Sequence, residues 1–212
     1  MRKYIKSVLN PMFYYFSFED AKYLSRAFKA LPSNSASLGF IDVGAAGGLE
    51  PCWKIIENHL DCTGFEPDKR SFDALTHSNT KSPVNRRKIF PTALWDSNHT
   101  LEINMCSKPQ VSSHFTPNRT FLDRFPNSDR FDVKYRTTVE CVALDNLDII
   151  ANDFIKIDVQ GGELSVLKGA ARTLSSTLGV EAEVEFISMY EEQPLFGEIC
   201  ELLTKFDFEF ID

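Results

Sequence analysis

Three acidic residues stand where an open parallel sheet does its chemistry. Glu66, Asp158 and Glu185 each close an apolar run. A carboxylate at the carboxyl end of a strand is partly desolvated, and it persists where a partner or a ligand engages it. Upstream of Glu66, residues 40–48 read Phe-Ile-Asp-Val-Gly-Ala-Ala-Gly-Gly, an apolar run that meets a glycine-rich turn just after Asp42. Gly44, Ala45 and Gly47 let the backbone turn tightly and approach a ligand, and a following helix would aim its free amides at the same place. Glu66 could then hold both hydroxyls of a ribose through charge-assisted hydrogen bonds. The constellation suits a nucleotide-like ligand. Ser113 and His114, in a polar loop, are candidates for substrate contacts. Around Glu185, the alternating Glu181 and Glu183 share its face, which leaves open a functional carboxylate or simply a wet face.

Other chemistries find no support in the sequence. The glycine turn lacks the Gly-Lys-Ser/Thr ending of a phosphate-binding loop, and no Gly-x-Ser-x-Gly elbow is present. His59, His77, His99 and His114 do not have the spacing of a helical zinc site. With 23 basic and 30 acidic side chains, a formal charge of −7, the chain shows no footprint for nucleic acid. Arg86-Arg87-Lys88 reads as a solvated strand entrance. The 5 cysteines, at positions 52, 62, 106, 141 and 200, form no close pair, which suits reduced thiols and a cytoplasmic setting. No apolar stretch approaches the ~18 residues of a membrane span. The basic start, interrupted by Lys6, Asn10 and Pro11, is not a signal peptide.

The elements that must position these residues follow from periodicity. Residues 1–38 read as an N-terminal helical extension, with helices over 4–30 broken at Pro11, and 39–212 as one α/β domain. Strands are expected at 40–43 and 62–66, and at 89–94 in spite of Pro91. Helices are expected at 50–59 and around Phe72 and Leu75. The pattern then breaks into two alternating runs, Leu101-Ile103-Met105 and Phe131-Val133-Tyr135. These mark a β-rich insertion after the third strand. Regularity returns with a buried-type strand ending at Asp158-Val159 and one helix carrying Leu164, Leu167, Ala171 and Leu174. A fifth strand over 180–186, a helix from Pro194 and a final strand at 208–211 complete a largely parallel sheet.

The segment 155–164, Ile-Lys-Ile-Asp-Val-Gln-Gly-Gly-Glu-Leu, with Val166-Leu167-Lys168-Gly169-Ala170, resembles the Lys-x-Asp-x-x-Gly-x-Glu signature of the FkbM-family S-adenosylmethionine-dependent methyltransferases. Ser112-Ser113, residues 139–147 with Leu144-Asp145, Glu183-Val184-Glu185-Phe186, Tyr190 and Gln193-Pro194-Leu195-Phe196 resemble further family segments in order. The resemblance implies a Rossmann-like class I methyltransferase fold, a mostly parallel central sheet with helices on both faces. It implies S-adenosylmethionine as cofactor, held by Asp42, Gly44, Ala45, Gly47, Glu66, Pro67, Ala93, Leu94 and Asp158. Asp158 would be the base or acceptor anchor, assisted by Glu185, or the two would share a magnesium ion. Ser113, His114 and Tyr190 would meet the acceptor, a hydroxyl on a sugar, glycan or small metabolite. Set against this are a nicotinamide-dependent oxidoreductase, for which Gly-x-Gly-x-x-Gly and Tyr-x-x-x-Lys are missing, and a catalytically silent nucleotide-binding domain. One departure stands out: the last strand pair of a class I sheet is incomplete here, so the chain either continues past Asp212 or completes this edge in another way.

Overall fold

The computed structural model describes residues 3–8, 37–79, 87–149 and 152–211. In chain order, β1 (Lys3–Val8), β2 (Leu38–Val43), β3 (Leu60–Phe65) and β4 (Arg87–Phe90) enter a main sheet. Next, β5 (Ala93–Trp95), β6 (His99–Cys106) and β7 (Val133–Ala143) form a separate three-stranded sheet, and β8 (Phe154–Ile157), β9 (Gly179–Glu183) and β10 (Phe208–Phe210) return to the main one. The main sheet has the order β10-β1-β9-β8-β2-β3-β4, and every neighbouring pair is parallel.

Its central strands are buried on both faces, with apolar side chains interrupted by the charged residues Asp42, Lys156 and Glu181. Ile41, Val43, Ile155, Ile157, Val180 and Ala182 are each at most 2% exposed and join one core cluster. Burying a large side chain of this kind contributes about 1.5–3 kcal/mol. The chain runs outward from β2 through β3 to β4, then starts again on the other side of β2 with β8 and β9. Strand order therefore reverses between β2 and β8, and the crevice above that junction is where such sheets bind ligands.

The helices are α1 (Pro51–Lys54), α2 (Lys69–Asn79), α3 (Arg119–Leu122), α4 (Glu163–Lys168), α5 (Ala171–Leu174) and α6 (Phe196–Thr204). Several expected elements are cut shorter, each for a local reason. The helix expected over 50–59 leaves α geometry at Ile56, whose side chain turns into a cluster with Phe40, Leu60 and Cys62. The strand expected over 89–94 breaks at Pro91, which has no N–H for a ladder, and Ala93–Trp95 pairs with β7 in the second sheet. The helix expected over 164–174 is interrupted at Gly169, where a Cβ would lie 2.0 Å from the Trp95 carbonyl oxygen. Asp145 then starts α5 by accepting from the backbone N–H of Arg172 at 2.6 Å and of Thr173 at 2.9 Å. The strand expected over 180–186 ends at Glu183, which leaves Glu185 in the following loop.

The N-terminal expectation changes most. Residues 3–8 form a strand, not a helix: Tyr4, Ile5 and Val8 are strand-favouring types, and β1 finds backbone partners on both sides, Tyr4 beside Gly179 and Lys3 beside Phe208. It fills the position between β9 and β10 where the sequence left a strand pair incomplete. Residues 9–36 of the expected helical extension, and Arg86 of the basic cluster, lie outside the described residues.

Candidate functional site

The first wall of the site is made by backbone. After β2 the chain turns through Gly44, Gly47 and Gly48, at φ +76°, +81° and +87°, a region that side chains disfavour. The N–H groups of Gly44 and Ala45 both donate to the Phe65 carbonyl at 3.1 Å, which closes the turn onto β3. A Cβ on Gly44 would stand 1.9 Å from the Asp158 carbonyl oxygen, and Asp158 N–H donates to the Val43 carbonyl at 3.0 Å. The glycine turn and the turn after β8 are thus in direct backbone contact. No residue of α1 lines the cavity, so the helix amides expected at this corner do not reach it.

Glu66 follows β3, is 5% exposed, and accepts the Asp68 N–H at 2.8 Å on Oε1. Burial raises its pKa above the usual carboxylate range, against the lowering effect of N–H donors from Asp68 and Ala46. Asp42 is 2% exposed and does not line the cavity. It faces Arg87 at 3.4 Å and Lys156 at 3.6 Å, so it supports the corner electrostatically from below. Burial pushes the Asp42 carboxyl up, and the two cations pull it back.

Lys156 is a residue that sequence reasoning passed over. Its Nζ lies in the buried centre of the junction, 3.4 Å from the Gly44 carbonyl, 3.7 Å from Glu50 and 3.8 Å from Asp158. Burial disfavours its charge, and the carboxylates of Asp42, Asp158, Glu50 and Glu181 outweigh that effect, so its pKa is raised. The signal was visible: a lysine inside the four-residue buried strand Phe154–Ile157 needs a charged partner.

The second wall is built from side chains at the ends of β8 and β9. Asp158 Oδ1 accepts from Gln160 Nε2 at 3.1 Å, and the same nitrogen donates to Glu183 Oε2 at 2.6 Å. Burial, then Asp158, raises the Glu183 carboxyl to about 9. Glu185 accepts from Gln193 Nε2 at 2.7 Å, and burial followed by Asp158 raises it to about 7. Glu163, 1% exposed, accepts N–H groups from Val159 at 3.0 Å and Gly161 at 3.2 Å, and burial pushes it to about 8. The face shared by Glu181, Glu183 and Glu185 is therefore largely covered: Glu181 is 6% exposed and takes the Trp53 indole N–H at 3.0 Å.

Between the walls lies a cavity of about 930 Å³, at the upper end of the range for small-molecule sites. Gly44, Glu66, Pro67, Ala93, Leu94, Ser113, His114 and Asp158 line it among the residues expected there, whereas Ala45, Gly47, Glu185 and Tyr190 do not. The second sheet closes the far side with Ile103, Tyr135 and Thr137. Ser113 donates its hydroxyl to the Gln160 carbonyl at 2.6 Å and thereby ties the insertion to the turn after β8. His114 is exposed, donates from Nδ1 to the Glu102 carbonyl at 2.9 Å and meets Trp95 edge-on. Tyr190, expected at the acceptor, is fully buried; its hydroxyl donates to the Val111 carbonyl at 2.9 Å and its ring packs near Phe131. It pins the insertion to the domain.

Residues 42–210 match the family described as the methyltransferase FkbM domain. The chain belongs to the FkbM methyltransferase family. The crystal structure of methyltransferase FkbM from Methylobacillus flagellatus KT aligns with 80% of this FkbM-family chain at a TM-score of 0.54 and 17% identity, which speaks for the fold. The chain spans 37% of that longer one. No curated protein matches. The family is one of methyltransferases, with a methyl donor of the S-adenosylmethionine type.

The magnesium ion expected between Asp158 and Glu185 gains no support in this FkbM domain, since each carboxylate takes a glutamine amide. Among the described residues, the group whose ligand atoms come within 4.8 Å of one another is Glu50, Cys52 and Glu181. The Lys156 ammonium, 3.7 Å from Glu50, already supplies positive charge there.

Proposed function

We propose that this chain is an S-adenosylmethionine-dependent O-methyltransferase acting on a hydroxyl of a sugar, glycan or small metabolite. The observation that carries the reading is the placement of Glu66 and Asp158 on one cavity, at the ends of strands flanking β2. S-adenosylmethionine brings a methyl group on a cationic sulfur, a good leaving group, so the protein has to align the acceptor and accept its proton.

Each task has a residue. Glu66, with one oxygen already held by Asp68, presents its carboxylate to the ribose hydroxyls. Gly44 presents backbone to the cavity, which lets the methionine part approach the turn, with Ala45 and Gly47 shaping its curvature. Pro67, Ala93 and Leu94 offer apolar surface to the adenine. Asp158 accepts the acceptor's hydroxyl proton while Lys156, 3.8 Å away, balances its charge. His114, exposed on the insertion, contacts the acceptor. Small uncharged or glycan acceptors, not nucleic acid, suit the acidic chain, and its widely spaced cysteines suit the cytoplasm. Among the described residues no helix is long and apolar enough to cross a membrane.

Calorimetric titration tests the reading. S-adenosylmethionine and S-adenosylhomocysteine are expected to bind, and Glu66→Ala to weaken both by about 10- to 100-fold, the worth of one or two hydrogen bonds to a charged group. Binding of NAD in their place, or of none of the three, overturns it.

A further inference from the structure

We propose that Gln160 is the positioning residue of the methyl-transfer site, its side-chain amide joining the cavity-lining Asp158 to Glu183 and its backbone carbonyl tying both to the insertion. The proposal rests on the reading of Asp158 as the group that accepts the acceptor's proton.

Different parts of Gln160 point the same way. Nε2 reaches both carboxylates, Asp158 Oδ1 at 3.1 Å and Glu183 Oε2 at 2.6 Å. The carbonyl oxygen takes the Ser113 hydroxyl at 2.6 Å, and that hydroxyl in turn accepts the Phe115 N–H at 3.1 Å. The backbone stands at φ +55°, a left-handed conformation that glycine and asparagine tolerate and glutamine avoids.

An uncharged double donor is what this place requires. Asp158 faces Lys156 at 3.8 Å on its other oxygen. Glu183 faces Asp158, Glu185 and Glu163, and burial with those neighbours holds its carboxyl up at about 9. Lys156 is itself shared with Asp42 and Glu50, and Glu185 already has the Gln193 amide. An amide gives two N–H bonds to such a pair without adding charge, whereas a carboxylate at position 160 would add a third repelling group. With Oδ1 held this way, rotation of the Asp158 carboxyl is arrested, which a group that meets a substrate hydroxyl at a fixed angle needs.

Carbon-13 NMR of the cofactor-free protein, labelled at the Asp and Glu side-chain carboxyls, tests the bridge. Gln160→Gly and Gln160→Asn both suit the left-handed backbone, so both are expected to fold, with cooperative melting. Both are nonetheless expected to move the Asp158 and Glu183 carboxyl resonances, assigned through Asp158→Asn and Glu183→Gln. The Gln160 side-chain amide resonance is expected to shift in each of those two assignment variants. Carboxyl resonances that stay in place in both Gln160 variants, or an amide indifferent to Asp158→Asn and Glu183→Gln, overturn the proposal. Since no cofactor is present, a parent protein that shows the bridge but fails to bind S-adenosylmethionine removes the methyltransferase reading instead.

Discussion

The two walls of the cavity are built from different materials. The corner between β2 and β3 is set by backbone: strand pairing, three glycines at positive φ, and a contact between turns with no room for a Cβ. The end of β8 and β9 is set by side chains, with one glutamine amide spanning two acids and another holding a third. A wall made of backbone is rigid and tolerates little change in shape, but is indifferent to pH. A wall made of buried acids tolerates isosteric replacement and responds to protons. Under the proposed function, the backbone wall would meet the cofactor and the acidic wall the acceptor.

The sharpest way to break the first wall is Gly44→Ala. A methyl group there meets the Asp158 carbonyl and sits at φ +76°, so a loss of about 3 kcal/mol or more in urea-measured stability is expected. A change under ~1 kcal/mol would show that the two turns can separate, and the contrast would fail.

The second wall is expected to announce itself through pH. Glu163 and Glu183, raised to about 8 and about 9, bind their protons more tightly folded than unfolded, where the value is 4.5. Stability contributed by those protons is fully present below about 4.5 and is lost as pH rises toward 8–9, at up to about 1.4 kcal/mol per pH unit for each group. Urea midpoints at pH 5, 7 and 9 should fall in that order. In Glu163→Gln, whose amide oxygen can still accept from Val159 and Gly161, the decline should be shallower; an unchanged slope would mean that Glu163 ionises freely.

The tie between the insertion and the second wall gives the smallest effect. Ser113→Ala removes one hydroxyl donor to the Gln160 carbonyl and is expected to cost about 1 kcal/mol in the same assay. A neutral result would detach the insertion from the acid end.

How much of this was legible in the sequence follows the same division. Backbone-built features leave compositional marks: Gly44 and Gly47 announced a turn, Glu66 the end of its neighbouring strand, and Asp158 the end of another. All but Gly47 reach the cavity. Features made by side chains meeting across strands left weaker marks. Glu183 stood only as a neighbour of Glu185 on an alternating face, because alternation shows which residues share a face but not what covers it. Gln160 had no pattern at all, since its role depends on a left-handed backbone. Tyr190 sat in a recognisable segment, yet its hydroxyl points to Val111, a pairing between residues far apart in the chain. The strand at Lys3–Val8 escaped because its partners lie at the other end of the sequence.

That last strand carries a consequence for how the molecule is made. Tyr4 pairs with Gly179 and Lys3 with Phe208, so β1 must wait for segments far downstream in the chain before it finds its neighbours. Contacts of such long sequence separation form late and slowly. Until β1 docks, β9 presents an open row of hydrogen-bonding groups to any passing strand, a period of vulnerability to aggregation that closes only when β1 takes its place between β9 and β10.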